Sequence, residues 1–149
     1  MDSLQMPGHL IRRLHQQSTQ AFQAQTQAAG LDLTSVQFAA LDAIARQPDI
    51  DQASLAATIG FDRATIGGVV ERLELKGLVQ RAVSATDRRA RLLRLTRPGQ
   101  KLLATSRPVV QALQAEILAP LSRAERAAFM ALALKALGLE ADVAPRSRP

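Results

Sequence analysis

The chain of 149 residues carries 19 Lys and Arg against 13 Asp and Glu, and 47% of its residues are hydrophobic. This length fits one domain, or a compact unit with a helical extension, and the hydrophobic fraction argues against disorder. The lack of cysteine excludes a disulfide framework, a thiol redox sensor and cysteine-ligated zinc. No apolar run approaches the roughly 20 residues of a membrane span and no signal peptide is evident, so we expect a cytoplasmic protein without a membrane partner.

Positive charge is concentrated in one third of the chain. Residues 60–107 hold eleven Lys and Arg against four Asp and Glu, whereas the rest of the chain holds eight against nine. Because a solvated protein face usually mixes charges of both signs, this concentration favours a polyanionic partner. The sequence has no Trp or Tyr to stack on single-stranded bases, so duplex DNA is the expected partner.

The first third of the sequence predicts two helices. Helical spacing over residues 8–29, ended by Gly30, places six residues on one face: Leu10, Ile11, Leu14, Ser18, Ala21 and Phe22. Of these, Ile11, Leu14, Ser18 and Phe22 define the predicted buried stripe. Thr34 and Gln37 then form a capping-box pattern that begins a second helix, which Pro48 closes.

The middle third of the chain predicts a helix pair followed by a hairpin, and the second helix and the hairpin lie in the basic segment. The stretch "QASLAATIG" predicts a short helix ending at Gly60, and "FDRATIGGVVERLELKGL" predicts a second helix with Asp62 as its N-cap. Gly77 followed by Leu78 fits a Schellman stop. The runs "LVQRAV" and "RLLRLT" flank "SATDRRA", which is a hairpin signal. A helix-turn-helix followed at once by a basic hairpin is the winged-helix arrangement.

The last third predicts two more helices. Thr96 caps a long helix through about Leu118, and Ser122 with Glu125 forms a capping box for a helix that ends near Leu137. Residues 121–139 are apolar nearly all round beyond the first turn, so this helix must be buried on more than one side. Burial in a homodimer explains this pattern, and packing within its own chain is the alternative.

These elements predict a mainly α fold with a small two-stranded β wing. Residues 32–96 form the winged helix-turn-helix DNA-binding domain, residues 8–31 and 97–138 form a helical dimerisation region, and residues 139–149 form a flexible tail.

The expected DNA contacts follow from the geometry of helix-turn-helix proteins, whose second helix enters the major groove with its N-terminal residues closest to the bases. The hairpin reaches sideways to phosphates or to the flanking minor groove. The predicted DNA-binding residues are Arg63, Thr65, Arg72, Arg88, Arg89 and Arg91. The alternative for the hairpin is a solvated turn in which Asp87 pairs with one arginine.

The stretch "FDRATIGGVVERLELKGLVQRAVSATDRRARLLRLTRPGQ" resembles the core of the MarR family of winged-helix transcription regulators. The similarity includes the D-x-R motif at Asp87 and Arg89 and extends to "LTSVQFAAL" and "SLAATIG", so that it covers residues 30–101. The resemblance implies a homodimer that binds a palindromic operator, with Asp87 orienting Arg89 toward the minor groove. It also implies a repressor that a small aromatic or phenolic acid releases from DNA.

Two glycines depart from the family pattern. At Gly67 and Gly68 the family often carries Thr followed by Arg or Lys, which touch the DNA backbone. Glycine supplies neither contact, and each one costs helix stability of about 1 kcal/mol relative to alanine. We expect the two glycines to permit a close approach of the helix backbone to DNA or to another helix.

The first helix also carries candidate effector-binding residues. Arg12 lies one turn before His15, and His15 lies at the edge of the apolar face. A carboxylate ligand favours such a pairing of a cation with an imidazole at a partly desolvated boundary. The candidate ligand-binding residues are Arg12, Arg13, His15, Phe22 and Phe38. The alternative is that the arginines are exposed helix charges and His15 is solvated.

An enzyme is not expected, and no catalytic residue, cofactor or metal is predicted. His9 and His15 are six residues apart, which is not the i, i+4 spacing of a metal-binding pair on a helix. Two functions compete with the specific regulator. One is a winged-helix module for contacts with proteins, which the basic segment disfavours, and the other is a nonspecific architectural DNA binder without an effector.

Overall fold

The computed structural model describes residues 1–140 of the chain. In chain order its elements are a 3-10 helix at Ser3–Gln5, α1 (Pro7–Ala28), α2 (Ser35–Arg46), β1 (Ile50–Asp51), α3 (Gln52–Ile59), α4 (Arg63–Leu75), β2 (Val79–Val83), β3 (Arg91–Leu95), α5 (Arg97–Ile117) and α6 (Arg123–Leu137). The mainly α fold with a β wing is confirmed. Most of the predicted flexible tail, residues 139–149, lies outside the described residues.

Local sequence signals begin and end the helices where the sequence predicts. The Thr34 hydroxyl accepts a hydrogen bond from the Gln37 backbone N–H, and the Gln37 side chain accepts one from the Thr34 N–H, which completes the capping box of α2. Gly77 ends α4 with a φ of +71°, and the N–H of Leu78 reaches back to the carbonyl of Leu73 at 2.9 Å. This pair of features is the predicted Schellman stop.

The sheet has one strand more than the sequence predicts. β2 and β3 form the expected antiparallel hairpin, and β1 adds a third strand on the other side of β3, with Ile50 opposite Leu93. Two residues are too few to produce a strand periodicity, so this strand forms only because the hairpin offers it a free edge.

The first of two compact units, Met1–Leu113, contains one hydrophobic core. Its buried residues are Leu33, Ala40, Leu41, Ala43, Ile44, Ile50, Leu55, Ala56, Ile66, Val70, Leu73, Leu78, Val79, Leu93 and Leu103. The start of α5 is fastened to this core, because the Thr96 hydroxyl donates to the Gly77 carbonyl at 2.6 Å. Gly99 is required there, since a Cβ at this position would overlap the Leu78 carbonyl.

The predicted buried face of α1 is wrong for its N-terminal half within a single chain. Leu10 and Ile11 are exposed, at 42% and 65%, whereas Phe22 further along the helix is buried. The helical period is correct, but the core of the same chain reaches only the C-terminal half of α1.

The second compact unit begins at Gln114 and contains α6. Ser122 caps α6 by accepting a hydrogen bond from the Glu125 backbone N–H at 3.2 Å, as the sequence predicts. No residue of α6 is buried, and Met130, Leu132 and Leu137 are 51%, 65% and 71% exposed. The chain by itself therefore does not cover the apolar surface of this helix. No helix within residues 1–140 is both long and apolar enough to cross a membrane.

Candidate nucleic-acid interface

Two aspartates cap the helix pair α3 and α4, of which α4 lies in the basic segment. The backbone N–H of Ser54 donates to the Asp51 carboxylate, which caps α3, and the N–H of Thr65 donates to the Asp62 carboxylate, which caps α4, each at 2.7 Å. These hydrogen bonds hold the pKa of both carboxyls below the ordinary value. Gly60 makes the turn between the helices with a left-handed φ of +73°.

The two faces of α4 separate core residues from candidate DNA contacts. Ile66, Val70 and Leu73 are buried, whereas the three predicted contact residues of this helix are exposed. Those three are Arg63, Thr65 and Arg72. The apolar face fixes the helix to the core and leaves the polar face available to a partner.

The tip of the hairpin is an ordered turn. The backbone N–H of Ser84 donates to the Ala90 carbonyl at 3.2 Å, and the N–H of Ala90 donates to the Asp87 carbonyl at 3.0 Å. The buried Ser84 hydroxyl accepts from the backbone N–H groups of Thr86 and Asp87, both at 3.3 Å. The wing arginines therefore project from a defined main chain.

Asp87 acts on the backbone of Arg89. Its carboxylate accepts a hydrogen bond from the Arg89 backbone N–H at 3.0 Å. The resemblance implies that Asp87 orients Arg89, and the structure supplies a main-chain route for that effect. Arg88, Arg89 and Arg91 are all exposed, and the Arg91 guanidinium donates to the Arg88 carbonyl at 2.9 Å.

A groove of about 580 Å³ runs between the recognition helix α4, the start of α3 and the wing. Its lining residues are Asp51, Gln52, Ala53, Arg63, Ile66, Arg81, Asp87, Arg89, Ala90 and Arg91. Four arginines and two aspartates make this surface positively charged. The structure thus brings the predicted Arg63, Arg89 and Arg91 together around one concave surface.

Two arginines of the sheet, Arg94 and the groove residue Arg81, form ion pairs with neighbouring elements. Both oxygens of Asp49 accept from Arg94, at 2.5 Å and 2.6 Å, and this fork holds the pKa of Asp49 below its ordinary value. Arg81 pairs with Glu74 of α4 at 3.0 Å. Sequence reasoning missed both pairs, because Asp49 and Arg94 are 45 positions apart and Arg81 and Glu74 lie in different elements, β2 and α4. The left-handed φ of +67° marks Asp49 in the structure.

The candidate effector-binding residues are not gathered into one pocket of the single chain. Arg12, Arg13 and His15 are exposed on α1, and a guanidinium nitrogen of Arg12 lies 3.3 Å from Nδ1 of His9. Phe22 and Phe38 do meet, with ring centroids 6.3 Å apart and planes tilted by 54°.

A second cavity, of about 280 Å³, lies at the junction of α1 and α2. It is lined by Thr19, Phe22, Gln23, Thr26, Gln27, Leu31, Asp32, Leu33, Thr34 and Ser35. This lining contains Phe22 but none of Arg12, Arg13 and His15, and its one charged residue, Asp32, pairs with Lys76 at 3.2 Å. Within residues 1–140, no three His, Asp or Glu side chains come together as a candidate metal site.

Relatives with known roles match most of the chain. The transcriptional regulator HosA of Escherichia coli is 37% identical over 127 residues, which cover 85% of this chain and 91% of HosA. The HTH-type transcriptional repressor NicR of Pseudomonas putida is 36% identical over 134 residues, covering 90% of this chain and 84% of NicR.

Solved structures match at similar identity. PcaV of Streptomyces coelicolor, in complex with its natural ligand, is 33% identical with a TM-score of 0.83, and the match covers 97% of each chain. BpsR of Bordetella bronchiseptica, solved in a study of how 6-hydroxynicotinic acid regulates its DNA binding, is 30% identical with a TM-score of 0.81 over 88% of this chain and 92% of BpsR. A mutant of Escherichia coli MarR complexed with operator DNA is 27% identical with a TM-score of 0.78 over 87% and 92% of the two chains.

A profile described as "MarR family" matches residues 31–90, which contain the helix pair, the wing tip and all residues of the groove except Arg91. With this match and the two curated relatives that cover most of the sequence, the chain belongs to the MarR family of transcriptional regulators.

Proposed function

We propose that this chain is a homodimeric repressor that binds a palindromic operator and is released from it by a small aromatic acid. Residues 32–96 bind DNA, and residues 8–31 and 97–138 form the dimer. The observation that carries the proposal is the groove between α4 and the wing, where four arginines line one concave surface. The operator complex of the related MarR mutant and the repressor activity named for NicR support it.

DNA recognition divides between the two elements. Arg63 and Thr65 at the start of α4 contact base edges, and Arg72 further along contacts phosphates. Arg88, Arg89 and Arg91 extend the contact to the flanking phosphates and minor groove. α4 and the base of the hairpin pack in the same hydrophobic core, through Val70, Val79 and Leu93, which holds the two contact elements next to each other.

The test of DNA binding compares a selected duplex with an arbitrary one. Duplexes enriched by the wild-type protein from a random-sequence pool are titrated by fluorescence anisotropy at several salt concentrations. A specific regulator binds the enriched duplex about 10³-fold or more tightly than an arbitrary one. Equal, strongly salt-dependent binding to both would identify a nonspecific architectural protein instead.

The effector is proposed to be an aromatic carboxylate, which the ligand complex of PcaV and the acid that regulates BpsR support. Arg12 or Arg13 pairs with the carboxylate, His15 donates a hydrogen bond, and Phe22 and Phe38 contact the ring. These polar groups are exposed in the single chain. The second subunit of the dimer must therefore complete the pocket around them.

Release requires that the acid bind more tightly to the arrangement of subunits that does not span two half-sites. A coupling free energy of about 1–3 kcal/mol, typical of allostery, weakens operator binding by roughly 5–150-fold. The experiment titrates benzoate, hydroxybenzoates, cinnamates and 6-hydroxynicotinate against the protein on its enriched duplex.

The test variants for this experiment are Arg12→Ala, Arg13→Ala and His15→Ala. His15→Ala, and whichever arginine variant removes the partner of the carboxylate, should weaken the response without losing DNA binding. A response unchanged in all three variants would place the pocket elsewhere. If none of the acids releases the wild-type protein, the aromatic-acid proposal fails and the DNA-binding proposal stands.

A further inference from the structure

The adjacent glycines of α4 have no conformational need to be glycine. Neither Gly67 nor Gly68 has a positive φ, and both lie inside a regular helix. Glycine is, after proline, the least favourable residue in a helix interior, because it loses the most backbone freedom on folding. Each of the two positions therefore weakens the helix that carries the candidate base contacts.

The surroundings of the two glycines differ. A Cβ at Gly67 would lie 3.4 Å from the side-chain nitrogen of Gln52, which is an ordinary internal contact with α3. A Cβ at Gly68 would meet no atom of the protein within 4 Å, and Gly68 is exposed. Nothing in the folded chain thus explains the missing side chain at Gly68.

Gly68 occupies the middle of the exposed face of α4. Ala64 lies one turn before it and Arg72 one turn after it, and both are exposed. Thr65, also exposed, adds a second methyl group beside Ala64. The centre of this face is therefore bare main chain, bordered by small apolar groups on its N-terminal side and by the exposed Glu71 and Arg72 on its C-terminal side.

We propose that Gly68 is a specificity-determining position of the operator contact. The proposal rests on the proposed function. The missing side chain lets α4 lie close to the floor of the major groove, where the Gly68 backbone and the methyl groups of Ala64 and Thr65 pack against the methyl group of a thymine. Apolar contact with that methyl is the means by which small side chains distinguish a T·A pair in the major groove.

The experiment uses the full chain and duplexes enriched by the wild-type protein from a random pool. Gly68→Ala and Gly68→Leu add one and four carbons on the exposed face, and Gly67→Ala adds one carbon on the neighbouring, inward position. Both alanine variants are expected to raise the midpoint of thermal unfolding by about 2–4 °C, because alanine favours the helix.

The affinity for the enriched duplex distinguishes the Gly68 variants from Gly67→Ala. Gly68→Ala weakens binding to the enriched duplex about tenfold and Gly68→Leu about 100-fold, whereas Gly67→Ala binds as the wild type does. Binding to an arbitrary duplex stays within about twofold for all three, because phosphate contacts dominate nonspecific binding. Replacing the contacted thymines by deoxyuridine, which lacks the methyl group, weakens wild-type binding by about three- to tenfold.

Two results would overturn the inference and leave the proposed function intact. One is wild-type affinity of Gly68→Leu for the enriched duplex, and the other is full affinity for a duplex in which every thymine is replaced by deoxyuridine. A random pool in which the wild-type protein enriches no sequence would overturn the proposed function and this inference together.

Discussion

At the scale of single residues, the arginines of the wing and its sheet have different roles. Arg89 is exposed beside the groove, whereas Arg94, five residues later, is held by both oxygens of Asp49. A guanidinium that is forked onto a carboxylate has its charge offset and its planar pair of donors occupied, so it is less available to phosphate. The first is suited to DNA and the second to holding the sheet.

Arg89→Ala is expected to weaken binding to the enriched duplex by about 1–3 kcal/mol without changing the unfolding midpoint, because the side chain is exposed. Arg46→Ala is the matched control, since it removes an exposed arginine outside the basic segment. Anisotropy titrations of the two variants measure the difference. If the two variants weaken binding equally, Arg89 contributes only general positive charge.

Substitutions of Asp87 test whether its carboxylate acts on Arg89 through the backbone hydrogen bond. Asn at this position keeps an oxygen that accepts the hydrogen bond from the Arg89 N–H but removes the charge, whereas Ala removes both. We expect Asp87→Ala to weaken operator binding less than Arg89→Ala does, and Asp87→Asn to bind nearly as the wild type. If Asn and Ala weaken binding equally, the carboxylate acts by its charge on an arginine side chain instead.

At the scale of elements, three aspartates fasten the DNA-binding helices and the sheet. Asp51 and Asp62 cap α3 and α4, and Asp49 holds Arg94 of β3. The pKa of each carboxyl is lowered by the hydrogen bonds that it accepts. Protonation of any of them therefore opposes folding.

The resulting pH dependence has a definite sign. Because the folded-state pKa values lie below the unfolded value of about 3.9, the stabilisation is fully present above about pH 4 and is lost as pH falls through the folded values. Urea denaturation from pH 7 to pH 2.5 should therefore show loss of stability only in the acidic part of this range.

A double variant isolates the two helix caps. Asp51→Asn with Asp62→Asn keeps good N-cap residues that do not titrate, so its stability should fall less steeply on acidification than that of the wild type. If the two proteins lose stability equally as the pH falls, other carboxyls are responsible for the loss.

At the scale of the whole molecule, uncovered apolar surface is the main feature that one chain leaves unexplained. Leu10 and Ile11 of α1 are exposed, and so are Leu132 and Leu137 of α6. A soluble monomer seldom exposes apolar surface in such quantity. Burial between two subunits is the arrangement that the proposed function requires.

Leu132→Arg is expected to shift the protein from dimer to monomer in sedimentation velocity at micromolar concentration, and to abolish high-affinity binding to a palindrome. Loss of the second half-site removes the two-fold contact, whose half-sites lie about 10 bp apart or a multiple of that. Leu75→Arg provides the matched control for the oligomeric state alone, because Leu75 is 81% exposed outside the proposed dimer helices but lies on the DNA-recognition helix α4. A wild-type monomer, or an unpaired half-site in a footprint, would refute the dimer.

The sequence by itself determined the helices, their ends and the hairpin. These features depend on residues at most a few positions apart: the Thr34–Gln37 capping box, the Asp62 cap and the Gly77 stop all bind backbone groups of their own helix. The concentration of arginines and the helix-turn-helix spacing likewise indicated a DNA-binding regulator, because charge and element order can be counted along the chain.

Only the tertiary structure decided which of these residues meet. Strand β1 forms because β3 offers an edge to it, and Arg94 finds Asp49 across 45 positions of sequence. The adjacent glycines, alike in sequence, differ because a helix turns by about 100° per residue, which directs one toward Gln52 and the other to open surface. Pairings of this kind depend on how elements pack, and no local pattern of residue types encodes them.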